Sequence, residues 1–81
     1  MPSDIIQEKL ERFKLIAEDF LNKDIRVYIK DINNQFYFAD ILLVGEETLT
    51  IQCFAPEDKA NKKFYLNWFS IIKLEEYKNE N

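Results

Sequence analysis

The sequence predicts a mainly β domain with an N-terminal helix, whose five short antiparallel strands bend strongly into a small barrel. Three observations carry this. An apolar period near 3.6 at the start of the chain gives way to a period of 2 after a polar break. The stretch QFYFADILLVGEETLTI, residues 35–51, is apolar on both of its alternating faces. With 81 residues, the chain is too short to cover such a strand in a three-layer sheet. A strand that curves sharply, and so belongs to both halves of a barrel, resolves that conflict, as does one covered by the helix on one side and by a neighbouring subunit on the other.

The helix is read over residues 3–21. Ile6, Leu10, Phe13, Ala17 and Phe20 recur at spacings of four, three, four and three, which places them on one face. Ser3 is positioned to cap free backbone amides, Asp4 favours the positive end of the dipole, and Glu8 stands one turn before Arg12. Leu15, Ile16 and Leu21 are expected to widen the apolar stripe, so the helix should lie across a hydrophobic surface of its own domain. Its polar face carries Glu8, Glu11, Glu18 and Asp19, a charge that anionic lipid would repel.

After Asn22-Lys23-Asp24, Ile25, Val27 and Ile29 alternate with Arg26, Tyr28 and Lys30, the pattern of a strand with one wet face. Asp31 to Asn34 supply turn residues, which makes the next run the second arm of a hairpin. In that arm Tyr37, Ala39, Ile41 and Leu43 oppose Phe36, Phe38, Leu42 and Val44, and Ala39, the very small residue near the middle, marks the bend. Gly45-Glu46-Glu47 turns the chain, after which Leu49, Ile51 and Cys53 face inward. APEDKANKK, residues 55–63, reads as a solvated loop. Phe64 and Leu66 begin a fourth strand that Asn67 interrupts, and residues 69–74 form a fifth. One domain thus spans the chain, with the barrel over 24–75 and a charged, frayed tail over 76–81.

Composition bounds the function. A hydrophobic share of 47%, with seven Phe, four Tyr and one Trp, is high for a domain this small. A thin core of this kind is commonly reinforced by association, so a homo-oligomer is expected. A net charge of −4 argues against a surface that grips nucleic acid all over, and leaves room for a local basic patch. The single cysteine, Cys53, sits at an inward position and reads as a buried thiol in a reducing, cytoplasmic setting. No apolar run approaches the length of a membrane span. The chain has no histidine and one glycine, hence no imidazole base and no glycine-rich phosphate loop, and an enzyme, a cofactor or a metal site is not expected.

The helix followed by a bent five-stranded barrel resembles the Sm-like fold, an SH3-type small barrel shared by RNA-associated proteins, over nearly the whole chain. Against the first Sm motif, Ala39 takes the small position, Ile41 the hydrophobic one and Val44 the aromatic one. Gly45 stands where Asp is usual, Glu47 where a side chain stacks on the base, Thr48 for Met and Leu49 for Asn. Against the second, Leu66, Ile71 and Leu74 keep the apolar spacing, while Asn67 and Trp68 replace an Arg-Gly pair. The resemblance implies a scaffold that associates through its fourth and fifth strands, without the groups that hold a uridine in the family.

Candidate contacts follow from the remaining residues. Lys59, Lys62 and Lys63 place three cations within five positions of a loop, a phosphate-contact pattern whose bland alternative is a solvated loop balanced by Glu57 and Asp58. Arg26 and Lys30 flank Tyr28 on the wet face of the first strand, an aromatic between cations. Tyr65, Trp68 and Phe69 crowd the fourth and fifth strands, either as anchors of a subunit interface or as core beneath the helix. The sequence therefore supports an RNA-associated or assembly scaffold. Its competitor is a peptide-binding module of the SH3 or Tudor type, which needs no nucleic acid.

Overall fold

The computed structural model describes residues 2–78, with side chains from residue 7 onward. Helix α1 spans Pro2–Asn22, and the strands follow as β1 (Val27–Asp31), β2 (Phe36–Val44), β3 (Thr48–Ala55), β4 (Lys63–Asn67) and β5 (Ile71–Glu76). Short 3-10 helices cover Glu57–Lys59 and Trp68–Ser70. All strand pairings are antiparallel, in the order β4-β3-β2-β1-β5.

The fold class is therefore as expected at the level of helix plus five antiparallel strands, whereas the barrel does not close. β4 and β5 are the two edges of one open sheet and are not paired with each other. The β2–β3 register shifts between Phe38 and Ala39, beside the residue expected to mark the bend, and again between Ile41 and Leu43. Such irregularities increase local twist and bend a strand. The second shift also breaks the simple alternation. Leu42 and Leu43 are both exposed, and Val44 turns back to pack on the core.

Val27, Ile29, Ala39, Ile41, Leu49, Ile51, Cys53, Leu66, Trp68, Ile71 and Leu74 form one buried cluster on the inner face. Helix α1 covers it, chiefly over β2, through buried Ala17 and half-buried Leu10, Phe13, Ile16 and Phe20. Leu15 does not widen this stripe. At about 100° per residue it lies roughly 200° from Phe13, on the opposite side of the helix, and it is 65% exposed. Leu21 is exposed as well.

The helix begins at Pro2, so Ser3 lies inside its first turn rather than ahead of it as a cap. The side chains of Ser3, Asp4 and Ile6 fall outside those described. At the other end Ile25 donates its amide to the Phe20 carbonyl and Asp24 to that of Leu21, with Asp24 at φ 58°. This pair of bonds is a Schellman motif with an aspartate in the left-handed position that glycine usually fills.

Two other boundaries move. Ile25 belongs to the helix end, and β1 starts at Val27. Glu76 does not begin a frayed tail: Glu75 and Glu76 pair with Tyr28 and Val27 as the end of β5, and Tyr77 donates its amide to the Arg26 carbonyl. The rest of the expected tail, residues 79–81, lies outside the described residues. The 55–63 loop is also more ordered than its composition suggested. Cys53 donates its amide to the Lys62 carbonyl, and Asn61, at φ 67°, donates to the Cys53 carbonyl. No helix among the described residues is long and apolar enough to cross a membrane.

Candidate nucleic-acid interface

Residues directly opposite each other in an antiparallel pair share a face of the sheet. Lys30 pairs with Phe36 and with Lys73, and Tyr28 pairs with Phe38 and with Glu75. Asp40 pairs with Gln52, Gln52 with Lys63, and Thr50 with Tyr65. All of these lie on the face away from the helix. Arg26, Lys30 and Lys63, three of the five candidate cations, thus share one surface, and Lys73 joins them.

That surface is paved with aromatic rings. Tyr28 lies 5.3 Å from Phe38 and 6.5 Å from Phe36, centroid to centroid, and Phe36 and Phe38 are 6.0 Å apart. Tyr77 links Phe38 at 5.4 Å to Phe54 at 5.1 Å. The apolar outer side of β2 was expected to need cover from a second layer or a neighbouring subunit. Within the chain the rings instead cover one another, in the tilted and edge-on arrangements their quadrupoles favour. Phe36 stays exposed, while Tyr28, Phe38, Phe54 and Tyr77 are half-buried.

The Arg26 guanidinium stacks 4.3 Å above the Phe54 ring centroid, and its Nε approaches Asp40 Oδ1 at 3.3 Å. Both partners are about half exposed, so the ion pair adds at most about 1 kcal/mol. The guanidinium plane is held by the ring as much as by the carboxylate. It remains available to a phosphate, at the expense of a weak surface pair.

Lys59 has a different place from the one its loop suggested. Its Nζ donates to the Phe36 carbonyl at 2.7 Å and to Gln35 Oε1 at 3.3 Å, and it lies 4.5 Å from the Tyr37 ring centroid. It straps the β3–β4 connection to the start of β2. Lys62 is exposed, and Lys63 points to the outer face from β4, so the three lysines do not form one patch.

Beneath the strap, Asp31 is 6% exposed. Its Oδ1 accepts from the amides of Asn33 and Gln35 at 2.9 and 3.0 Å, and its Oδ2 accepts from the Tyr37 hydroxyl at 3.2 Å. This carboxylate organises the β1–β2 turn, whose Asn34 adopts φ 63°. Burial first, then the neighbouring Asp31 charge and hydrogen bond, push the Tyr37 phenol above its ordinary pKa. Burial likewise raises the Cys53 thiol, with Lys59 pulling weakly the other way.

The three aromatics offered as an interface separate. Trp68 is 1% exposed, with its Nε1 donating to the Gly45 carbonyl at 2.9 Å and its amide to the Glu47 carbonyl at 3.2 Å, so it belongs to the core and presents no surface. Tyr65 and Phe69 are 69% and 67% exposed, beside the open β4 edge. Gly45 and Glu47, aligned with base-holding positions of the Sm motif, here form the turn that Trp68 secures. Glycine is needed at position 45 for space, because a Cβ would meet the Thr48 carbonyl oxygen at 2.9 Å.

Sequence reading missed Phe38, Phe54, Tyr77 and Lys73 as parts of this face. The alternation Tyr28, Lys30 against Phe36, Phe38 was a usable signal for the first. Tyr77 was hidden in an apparent tail, and Phe54 follows the last clear inward position of β3. Comparison with protein-family models, with curated proteins and with solved structures found no match.

Proposed function

We propose that the protein is a non-enzymatic, RNA-associated binding module that engages a single strand on the outer face of its sheet. The observation that carries the reading is the continuous ring cluster Tyr28, Phe36, Phe38, Phe54 and Tyr77, set among Arg26, Lys30, Lys63 and Lys73. Single-stranded nucleic acids are bound where π-faces take the bases and cations track the backbone. Among the described strand residues, only Asp40 and Glu75 oppose these cations on the face, in a chain whose net charge is −4.

The Sm-like resemblance supports the same reading at the level of scaffold. β4 and β5, the strands that subunits of that family pair across, are the two open edges here. A homo-oligomer joined along those edges would leave the outer aromatic face of each subunit facing out. The base site differs from the family's, since the matching positions form the Gly45–Glu47 turn. A second reading, a peptide-binding module of the SH3 or Tudor type on the same aromatics, draws on the acidity of the chain as a whole.

Fluorescence anisotropy with labelled oligouridine, oligoadenosine and duplex RNA at several salt concentrations tests the reading. Binding of the single strands that weakens steeply with salt is expected, together with a loss of about 1–3 kcal/mol when Phe38 becomes alanine. Absence of salt-dependent binding, or binding unchanged in Phe38→Ala and in Lys30→Glu, refutes it.

A further inference from the structure

The outer face changes chemistry along its strands. At one level Lys30 stands between Phe36 and Lys73. At the next, Tyr28 stands beside Phe38. One step further Arg26 meets Asp40, Asp40 pairs with Gln52, and Gln52 with Lys63. Two lysines, a pair of rings and a hydrogen-bonding row thus follow one another. From Lys30 to Arg26 is a step of four residues, or about 13 Å of strand.

Each end has an unmet requirement. Like charges directly opposite each other destabilise a sheet, and among the described residues no ion pair neutralises Lys30 or Lys73. A phosphate between them removes that repulsion. At the other end the Asp40 side chain is 46% exposed, and its contact with Arg26 runs from Nε to Oδ1 at 3.3 Å. A carboxylate has about four lone-pair sites, and a guanidinium has further N–H donors beyond Nε. The pair therefore keeps acceptors on Asp40 and donors on Arg26 for a ligand without being broken.

Side by side the two residues present a donor followed by two acceptors. Guanine carries the complement on its Watson–Crick edge, the O6 acceptor followed by the N1 and N2 donors, and the edges of unpaired bases are open to such reading. Adenine and cytosine each set a ring-nitrogen acceptor beside their amino group, which would face a carboxylate oxygen. Uracil has one donor, N3, between two carbonyls, and one of those would face the second carboxylate oxygen.

Resting on the reading that this face takes a single strand, we propose that it selects guanine. The phosphate lies between Lys30 and Lys73, the base stacks on Tyr28 and Phe38, and its Watson–Crick edge meets Asp40 and Arg26. An extended nucleotide, from phosphate to base edge, matches the four-residue span once a polar contact is added at each end. Asp40, an acid on a face that binds phosphates, is then the residue that chooses the base.

Fluorescence anisotropy with labelled uridine heptamers carrying guanine, inosine, adenine or cytosine at the centre tests this, with the all-uridine heptamer as reference. The guanine heptamer should bind roughly tenfold or more tightly than the adenine one, the discrimination of one bidentate contact. Inosine, which lacks the N2 amine, should fall between them. Asp40→Asn, at a half-exposed position, should bring guanine and adenine within about twofold of each other while the all-uridine heptamer still binds. A merely electrostatic role for Asp40 would instead tighten every heptamer alike and leave the preference in place.

Equal affinity across the bases, tightest binding of the all-uridine heptamer, or a guanine preference unchanged in Asp40→Asn overturns the guanine site. Where the heptamers in those cases still bind with a steep salt dependence that Lys30→Glu removes, the single-strand reading stands without it. Binding of none of them overturns both.

Discussion

Replacing Trp68 with phenylalanine separates its two roles. In the structure the indole is enclosed by the core and its Nε1 donates to the Gly45 carbonyl at 2.9 Å. Losing that bond to a half-buried carbonyl removes about 1 kcal/mol. The smaller ring gives up apolar burial worth about two methylenes, roughly 1.5 kcal/mol. The expected loss is therefore about 2–3 kcal/mol, against a total stability of roughly 4–12 kcal/mol for a domain of this size. The midpoint of thermal unfolding should drop by roughly 10–20 °C. Urea unfolding followed by far-ultraviolet circular dichroism measures this in both proteins. In the unaltered chain the fluorescence of the one tryptophan should unfold with the same midpoint, and acrylamide should quench it poorly while folded. Tyr65→Ala and Phe69→Ala, at exposed positions, should each stay within about 0.5 kcal/mol. A Trp68→Phe protein as stable as the parent, or a tryptophan freely quenched in a folded monomer, refutes the core assignment and the turn it secures.

Asp24→Gly should stabilise the chain by about 0.5–1.5 kcal/mol in the same unfolding assay, because it removes a left-handed non-glycine residue and a negative charge from the helix C-terminus, partly offset by the freer unfolded chain. Asp24→Asn, which removes only the charge, should recover the smaller part. Tyr37, whose proton is held more tightly in the folded state, contributes stability that is fully present below about pH 10, the unfolded phenol value, and is lost as pH rises through the higher folded value. Tyr37→Phe should flatten that alkaline decline while costing about 1 kcal/mol at neutral pH through the lost bond to Asp31. Cys53 should resist a disulfide reagent in the folded protein and react fully in urea, since burial hinders both access and ionisation. Rapid reaction under native conditions would show that the inner face opens.

Much of the fold was legible because period and composition act locally. The change from 3.6 to 2 located α1 and β1, and Ala39, singled out by its size, stands at a shift in the β2–β3 register. Leu15 was misread by counting apolar residues near the stripe without placing them around the helix axis. Glu76 was misread because an acid beside Glu75 at the start of a charged run looks like a tail, and only the pairing with Val27 makes it strand. Barrel closure was not legible at all, since it depends on whether β4 reaches β5 and no local pattern encodes that distance. The candidate face was half legible. Arg26, Tyr28 and Lys30 were found on one strand, but Phe38, Phe54, Tyr77 and Lys73 join them only through register across four strands.

The same long-range pairing gives the molecule its polarity. In sequence the charges of both signs are scattered, and the net value of −4 suggests a uniformly acidic surface. Folding sorts them. Register carries Arg26, Lys30, Lys63 and Lys73 to the outer face of the sheet, while the helix periodicity carries Glu8, Glu11, Glu18 and Asp19 to the side opposite its buried stripe, where Arg12 and Lys23 accompany them and Lys23 pairs with Asp19 at 3.1 Å. β5 is the seam between the two, with Lys73 and Glu75 toward the aromatic face and Glu76 toward the helix side. Lys30→Glu should therefore weaken oligonucleotide binding, and Glu76→Lys, on the helix side of the sheet, should leave it nearly unchanged. If Glu76→Lys strengthened binding by the factor by which Lys30→Glu weakened it, the charges would be acting through net charge alone, and the sorting of cations to the outer face would have no functional content.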